Sequence, residues 1–181
     1  MKELKVEFKV GKEILRGTLF IPEGTSPFPA VVFYHGRGSA RARYLPMAEA
    51  LARKGLITLA FDFRGCGESD GKFEEQTHKM GIEDARAGLE FLLSQNVDKK
   101  RIGIQGTSFG GYVTGMLLND YDFIRSVVLR VPAAYSDQAL NVKANAEKGY
   151  FKKRENLINS SAYSGLEKFK GKLFVIESEK D

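Results

Sequence analysis

Arg101-Ile102-Gly103-Ile104-Gln105-Gly106-Thr107-Ser108-Phe109-Gly110-Gly111 is the stretch whose reading decides the fold. An apolar run leads into Gly106-Thr107-Ser108-Phe109-Gly110, which fits G-x-S-x-G, and a helix-period segment to Asn119 follows. Between a strand and a helix, this pattern describes a tight turn with a serine at its tip. The serine sits in a strained backbone conformation there. Glycines two positions to either side let neighbouring backbone come close without a Cβ clash. A Gly-rich turn that merely joins strand to helix satisfies the same five residues, so the surroundings have to decide.

Towards the N-terminus, Leu4, Val6, Phe8 and Val10 alternate with charged residues, the period of a half-buried strand. Gly11-Lys12 turns this strand into a second one over Glu13 to Ile21, so the chain opens with a β-hairpin. Ala30-Val31-Val32-Phe33-Tyr34 is continuously apolar, as expected of a strand covered on both faces, and ends in His35-Gly36-Arg37-Gly38. A helix is expected from about Tyr44 to Lys54, stopped by Gly55. Leu56 to Phe63 reads as another buried strand, running into Arg64-Gly65-Cys66-Gly67-Glu68-Ser69-Asp70-Gly71. A long helix follows over about Lys79 to Gln95, with Ile82, Ala85 and Leu89 facing inward.

Beyond the helix that follows Ser108, Ser126 to Val131 is the next strand and Lys172 to Ser178 the last. The run Ala133 to Lys170 between them is polar and lysine-rich, and residues 134–170 read as a small, partly helical, lid-like insertion outside the core of a single domain. Strands alternating with helix-period segments predict an α/β fold: a mostly parallel sheet with helices on both faces, entered by an antiparallel hairpin. In such sheets the ligand site lies beyond the carboxyl ends of the strands. His35-Gly36, Arg64-Gly65, Gly106 to Ser108 and Asp181 all sit at strand carboxyl ends.

Composition narrows the remaining classes. The chain of 181 residues is long enough for one domain with a core and too short for two ordinary ones. The formal net charge is +5, but Lys and Arg are interleaved with Asp and Glu, and the densest cluster, Lys152-Lys153-Arg154, reads as a solvated helix face. No nucleic-acid partner is therefore expected. One cysteine and two histidines leave no plausible zinc site, and no metal or cofactor is expected. The N-terminus has no apolar h-region and no run approaches membrane-spanning length. The expectation is a cytoplasmic protein with no membrane partner and a small-molecule substrate.

Taken together, His35-Gly36-Arg37-Gly38, Asp62-Phe63-Arg64-Gly65-Cys66-Gly67-Glu68-Ser69-Asp70-Gly71 and the turn at Ser108 resemble the α/β-hydrolase family over essentially the whole chain. The wording around Asp62 to Asp70 and the insertion before Asp181 look most like its cinnamoyl/feruloyl-esterase and serine-aminopeptidase-like branch. The resemblance implies a serine esterase. Ser108 would be the nucleophile, the backbone N–H groups of Arg37 and Phe109 the oxyanion hole, and Asp181 the triad acid. Asp62 and Asp70 look like the family's turn-shaping residues. A peptidase or amidase of the same fold is the first alternative, although no added carboxylate pair or domain for holding a free amine is visible. A non-catalytic binding protein that lacks the base is the second.

The family places its histidine after the acid, in the order Ser, Asp, His, whereas nothing follows Asp181 here. His35 belongs to the oxyanion-loop motif and is expected to brace that loop, while His78 opens a helix and is expected to be exposed. The apolar Leu173 to Ile176 would be an uncovered edge as a last strand. The expectation is a chain truncated before its last strand and helix, with the catalytic histidine beyond it. The 181 residues alone would then be inactive or severely impaired. Cys66 is expected to be a passive loop residue. Tyr135, Tyr150, Phe151 and Tyr163 are candidates to line an acyl or aromatic pocket.

Overall fold

The computed structural model describes residues 1–150 and 159–178. The hairpin is β1 (Lys2–Val10) and β2 (Glu13–Ile21), paired in register from Lys2 beside Ile21 to Val10 beside Glu13. The parallel part comprises β3 (Phe28–Tyr34), β4 (Ile57–Phe61), β5 (Val97–Thr107), β6 (Ile124–Arg130) and β7 (Lys172–Ile176). Together they form one seven-stranded sheet in the order β1-β2-β4-β3-β5-β6-β7, with β2 antiparallel to β4 and every later pair parallel.

The two faces of the sheet are filled differently. Val32, Tyr34, Leu59, Phe61, Ile102 and Ile104 point to one side, where α2 (His78–Leu93) brings Ala85, Leu89 and Leu92 and α3 (Phe109–Leu117) brings Val113 and Leu117. On the other side α1 (Leu45–Ala52) sets Ala48 and Ala52, with Tyr44, against Phe20, Phe33 and Ala60. The strands between β2 and β6 are thus apolar because helices cover them, which is why their sequences read as unbroken hydrophobic runs. β7 is the sheet edge among the described residues, and its side chains are exposed, Phe174 by 63%.

Helix boundaries follow local chemistry. Thr77 caps α2, its Oγ1 accepting from the Met80 N–H at 3.2 Å. Gly55, at φ +92°, ends the turn after α1. The expected helix over Tyr44 to Lys54 divides into a 3-10 turn at Arg41–Tyr44 and α1 proper, with Pro46 in the first turn of α1.

One reading needs correction. The stretch after β6 does not lie wholly outside the core, because α5 (Ser161–Lys168) packs on α3 and buries Ala162 in the main cluster. The contact rests on small residues rather than an apolar stripe. A Cβ built on Gly165 would fall 2.0 Å from the Gly115 carbonyl oxygen, so the two helices touch backbone to backbone. The intervening α4 (Glu147–Tyr150) lies on the start of α2 rather than on the sheet.

Gly165→Ala must push these helices apart and is expected to cost about 1–3 kcal/mol, seen as a lower urea midpoint with an unchanged slope. Gly149→Ala, where a Cβ meets nothing within 4 Å among the described residues, is expected to leave the midpoint in place. Equal midpoints for G165A and the parent would contradict the α3–α5 contact.

Candidate active site

At the end of β5 the chain turns directly into α3, and Ser108 occupies the turn at φ 50° and ψ −114°. A side-chain-bearing residue reaches that region only at a cost of about 1–3 kcal/mol, so its surroundings must hold it there. They do so from both sides. The Ser108 N–H donates to the Arg130 carbonyl at 2.9 Å, and its own carbonyl accepts from Gly111 at 2.8 Å and from Ala133 at 3.0 Å. The flanking glycines are required by contact rather than by φ. A Cβ on Gly110 would lie 2.1 Å from the Tyr34 carbonyl oxygen, and one on Gly106 would lie 2.4 Å from that of Gly110. Any side chain at either position would lift α3 off β3 and β5.

The loop after β3 passes beside this turn. A Cβ on Gly36 would lie 3.5 Å from that of Ser108, so the two main chains are in contact. Ser108, Gly36, Arg37, Arg130, Val131 and Glu177 border an open cavity of about 680 Å³ at the carboxyl edge of the sheet. Val131, at φ 40°, is a second strained residue on its wall. Among the described residues, the backbone N–H groups of Arg37 and Phe109 donate to no partner.

His35 braces the loop, as expected from its motif. It is buried, its Nε2 accepts the Phe63 N–H at 3.0 Å, and its Nδ1 lies 2.8 Å from the Gly36 carbonyl. That arrangement requires the neutral ring with its proton on Nδ1. Burial lowers the pKa of His35 below the ordinary 6.5, in keeping with this tautomer.

His78 is the clear reversal. Expected to be exposed at the start of a helix, it is completely buried. Its ring packs on Tyr135 at 4.3 Å between centroids, with Phe109 and Tyr112 each at 5.7 Å, and its Nε2 donates to Glu147 Oε1 at 2.9 Å. Burial lowers its pKa, an effect that Glu147 opposes. The partners of His78 lie on α3, α4 and the loop after β6, so the helix position alone carried no sign of them.

The acidic residues after β4 build the loop. Asp62 accepts from the Arg41 N–H at 2.6 Å and the Glu68 N–H at 3.0 Å, and pairs with the Arg41 guanidinium. Asp70 accepts from the Ile14 N–H at 3.0 Å and from Arg16 Nη1 at 2.7 Å. Arg64 is fixed by Asp84 through its N–H and its Nε. Cys66 is buried, and burial pushes its thiol up to about 11, so it is protonated and unreactive at neutral pH.

The aromatic candidates separate. Tyr135 belongs to the cluster around His78, Tyr163 is 50% exposed on α5, and Phe151 lies outside the described residues, as does Asp181. Among the described residues no group of three or more His, Cys, Asp or Glu is arranged to hold a metal ion, and no helix is long and apolar enough to cross a membrane.

An α/β sheet in this strand order, with a strained serine between β5 and the following helix, is the architecture of an α/β hydrolase. Residues 25–168 match the serine aminopeptidase (S33) family, and the chain belongs to that family. It is 38% identical over 96 residues to an uncharacterized 31.7 kDa protein of the traX-finO intergenic region of Escherichia coli, a match covering 52% of this chain and 34% of that protein. Esterase EstD of Thermotoga maritima is 32% identical over 108 residues, covering 55% of this chain and 26% of the esterase. Among solved structures, the α/β hydrolase GrgF from Penicillium superposes with a TM-score of 0.66 at 25% identity, over 75% of this chain and 48% of GrgF. The matched region is therefore about a third of the first relative's length and about half of the solved structure's.

Because His35 is neutral when folded and titrates near 6.5 when unfolded, the unfolded state binds more protons as the pH falls below that value. The stability that His35 contributes is thus fully present above pH 6.5 and declines on acidification. Nitrogen NMR of the ring is expected to report a neutral Nδ1–H tautomer at pH 6.5 in the folded protein. A ring that is half protonated there would contradict the bracing role.

Proposed function

We propose that this chain is the nucleophile-bearing part of a serine hydrolase that cleaves carboxylic esters through an acyl-enzyme on Ser108. The observation that carries the reading is the strained backbone of Ser108, at the lip of a cavity that Gly36 and Arg37 also border. A strained serine held by four backbone hydrogen bonds, the fourth from the Tyr112 N–H, and by two glycine contacts is costly for a plain turn. For a nucleophile it presents Oγ to substrate in a fixed direction.

In this reading Ser108 Oγ attacks the acyl carbonyl while its proton passes to an imidazole. The tetrahedral oxyanion is received by the N–H groups of Arg37 and Phe109. Each such donor typically lowers the barrier by about 3 kcal/mol. Collapse expels the alcohol, which takes the proton back, and water then releases the acid from Ser108. Asp181, which follows β7 in chain order, is the proposed orienting acid.

Neither histidine of these 181 residues suits the role of base. Both ring nitrogens of His35 are engaged in the loop, and His78 is committed to Glu147 inside an aromatic cluster. The base is therefore proposed to be a histidine outside these residues. The substrate is a small-molecule ester, with no metal or cofactor in the chemistry.

The likeness to esterase EstD favours esters, whereas membership of the serine aminopeptidase family favours amides of amino acids. Nitrophenyl esters of short acids and aminoacyl anilides, compared on the full-length protein, separate the two. The expected result is turnover of the esters, lost by about 1,000-fold or more in Ser108→Ala. Preference for the anilides would replace the ester reading, and an unaffected S108A would reject both.

A further inference from the structure

Arg37 contributes more than its main chain. Its guanidinium is nearly buried, with Nη1 donating to Gln76 Oε1 at 2.6 Å and Nη2 to the Gln76 carbonyl at 2.9 Å. The rings of Phe73 and Phe109 lie 5.5 and 4.9 Å from its central carbon. The carboxylate paired with it is Glu147, whose Oε1 lies 2.5 Å from Nη2 and also accepts from His78. One carboxylate oxygen thus gathers the loop after β3, the start of α2 and the segment after β6.

The neighbours of Arg37 explain why such an anchor matters. Gly36 and Gly38 flank it, and Gly38 adopts φ +64°. With no Cβ on either side, the local chain has more conformations open to it than any other tripeptide context would allow. Fixing the Arg37 side chain at both its charge and its flat faces fixes the direction of its Cα–Cβ bond, and with it the plane of the preceding peptide. That peptide carries the N–H proposed to receive the oxyanion.

We infer that Glu147 is a positioning residue for this N–H, acting through the Arg37 guanidinium; the inference rests on the reading of Arg37 as an oxyanion donor. Glu147 reaches its place because residues 140–147 are laid along residues 75–79. Thr77 and Lys143 form an antiparallel bridge, the Ala144 N–H donates to the Gln76 carbonyl at 2.9 Å, and the Lys79 N–H donates to the Leu140 carbonyl at 2.9 Å. Lys143 also pairs with Glu75. Residues 140–147 thereby set the oxyanion loop, and only when they are docked is the N–H aimed.

The test is a double-mutant cycle on the full-length protein, read with a nitrophenyl ester and with an aryl boronic acid that forms a tetrahedral adduct. Glu147→Gln is expected to lower kcat about 10- to 100-fold, less than outright loss of a donor, with KM within about two-fold. Boronate affinity should fall alongside kcat. Arg37→Met, which keeps its N–H, should lower kcat to a similar extent. The double variant should be no worse than either single one, because both remove the same anchor. It also removes both buried charges, so it guards against a fold failure of E147Q alone. Unchanged kcat in E147Q or in the double variant would overturn the inference, as would an equal loss from E147Q with and without Arg37. An S108A protein that still turns over ester, or a parent protein that binds no boronate, would instead reject the underlying hydrolase reading.

Discussion

The close crossing of α3 over β3 and β5 is the constraint from which the rest of the site follows. Gly106 and Gly110 have no room for a Cβ, since the nearest carbonyl oxygens would stand at 2.4 and 2.1 Å. That crossing leaves the residue between them no ordinary backbone conformation, and Ser108 takes φ 50°. The strain is compensated by hydrogen bonds to α3, to β6 and to the loop beyond β6, so the serine's direction is tied to three neighbouring segments. Buried apolar packing of Val113 and Leu117 against Ile102 and Ile104 keeps α3 seated while this local cost is carried.

Around the serine, polar side chains shape loops more often than they offer chemistry. Asp62 organises the turn after β4, Asp84 holds Arg64, and His35 ties the β3 loop to Phe63. Glu147 does the same for Arg37 and His78 from a more distant part of the chain. Each of these groups is buried or half-buried and hydrogen-bonded, which is the condition for keeping a charge or imidazole away from water. The result is a set of rigid loops at the carboxyl edge of the sheet with a cavity open between them.

Much of the architecture was legible in the residues because it rests on period and apolarity. The hairpin, the buried strands and the turn at Ser108 all follow from patterns within a dozen residues. The bracing role of His35 was legible for the same reason, since its partner loops adjoin its own strand. The environment of His78 was not, because Phe109, Tyr112, Tyr135 and Glu147 come to it from 31 to 69 positions away. The α3–α5 contact was not legible because Gly115, Ala162 and Gly165 make it, and small residues leave no hydrophobic stripe. Glu147 was hidden in a lysine-rich run whose polarity suggested only solvent. For Asp181, chain order alone supports its assignment.

The central claim is that Ser108 is a nucleophile held in place by the sheet-to-helix turn. Peptide mapping by mass spectrometry after exposing the full-length protein to a fluorophosphonate tests it most directly. A single phosphonyl adduct on Ser108, absent after heat denaturation, is the predicted result. No adduct, or an adduct on another residue with Ser108 unmodified, would contradict it.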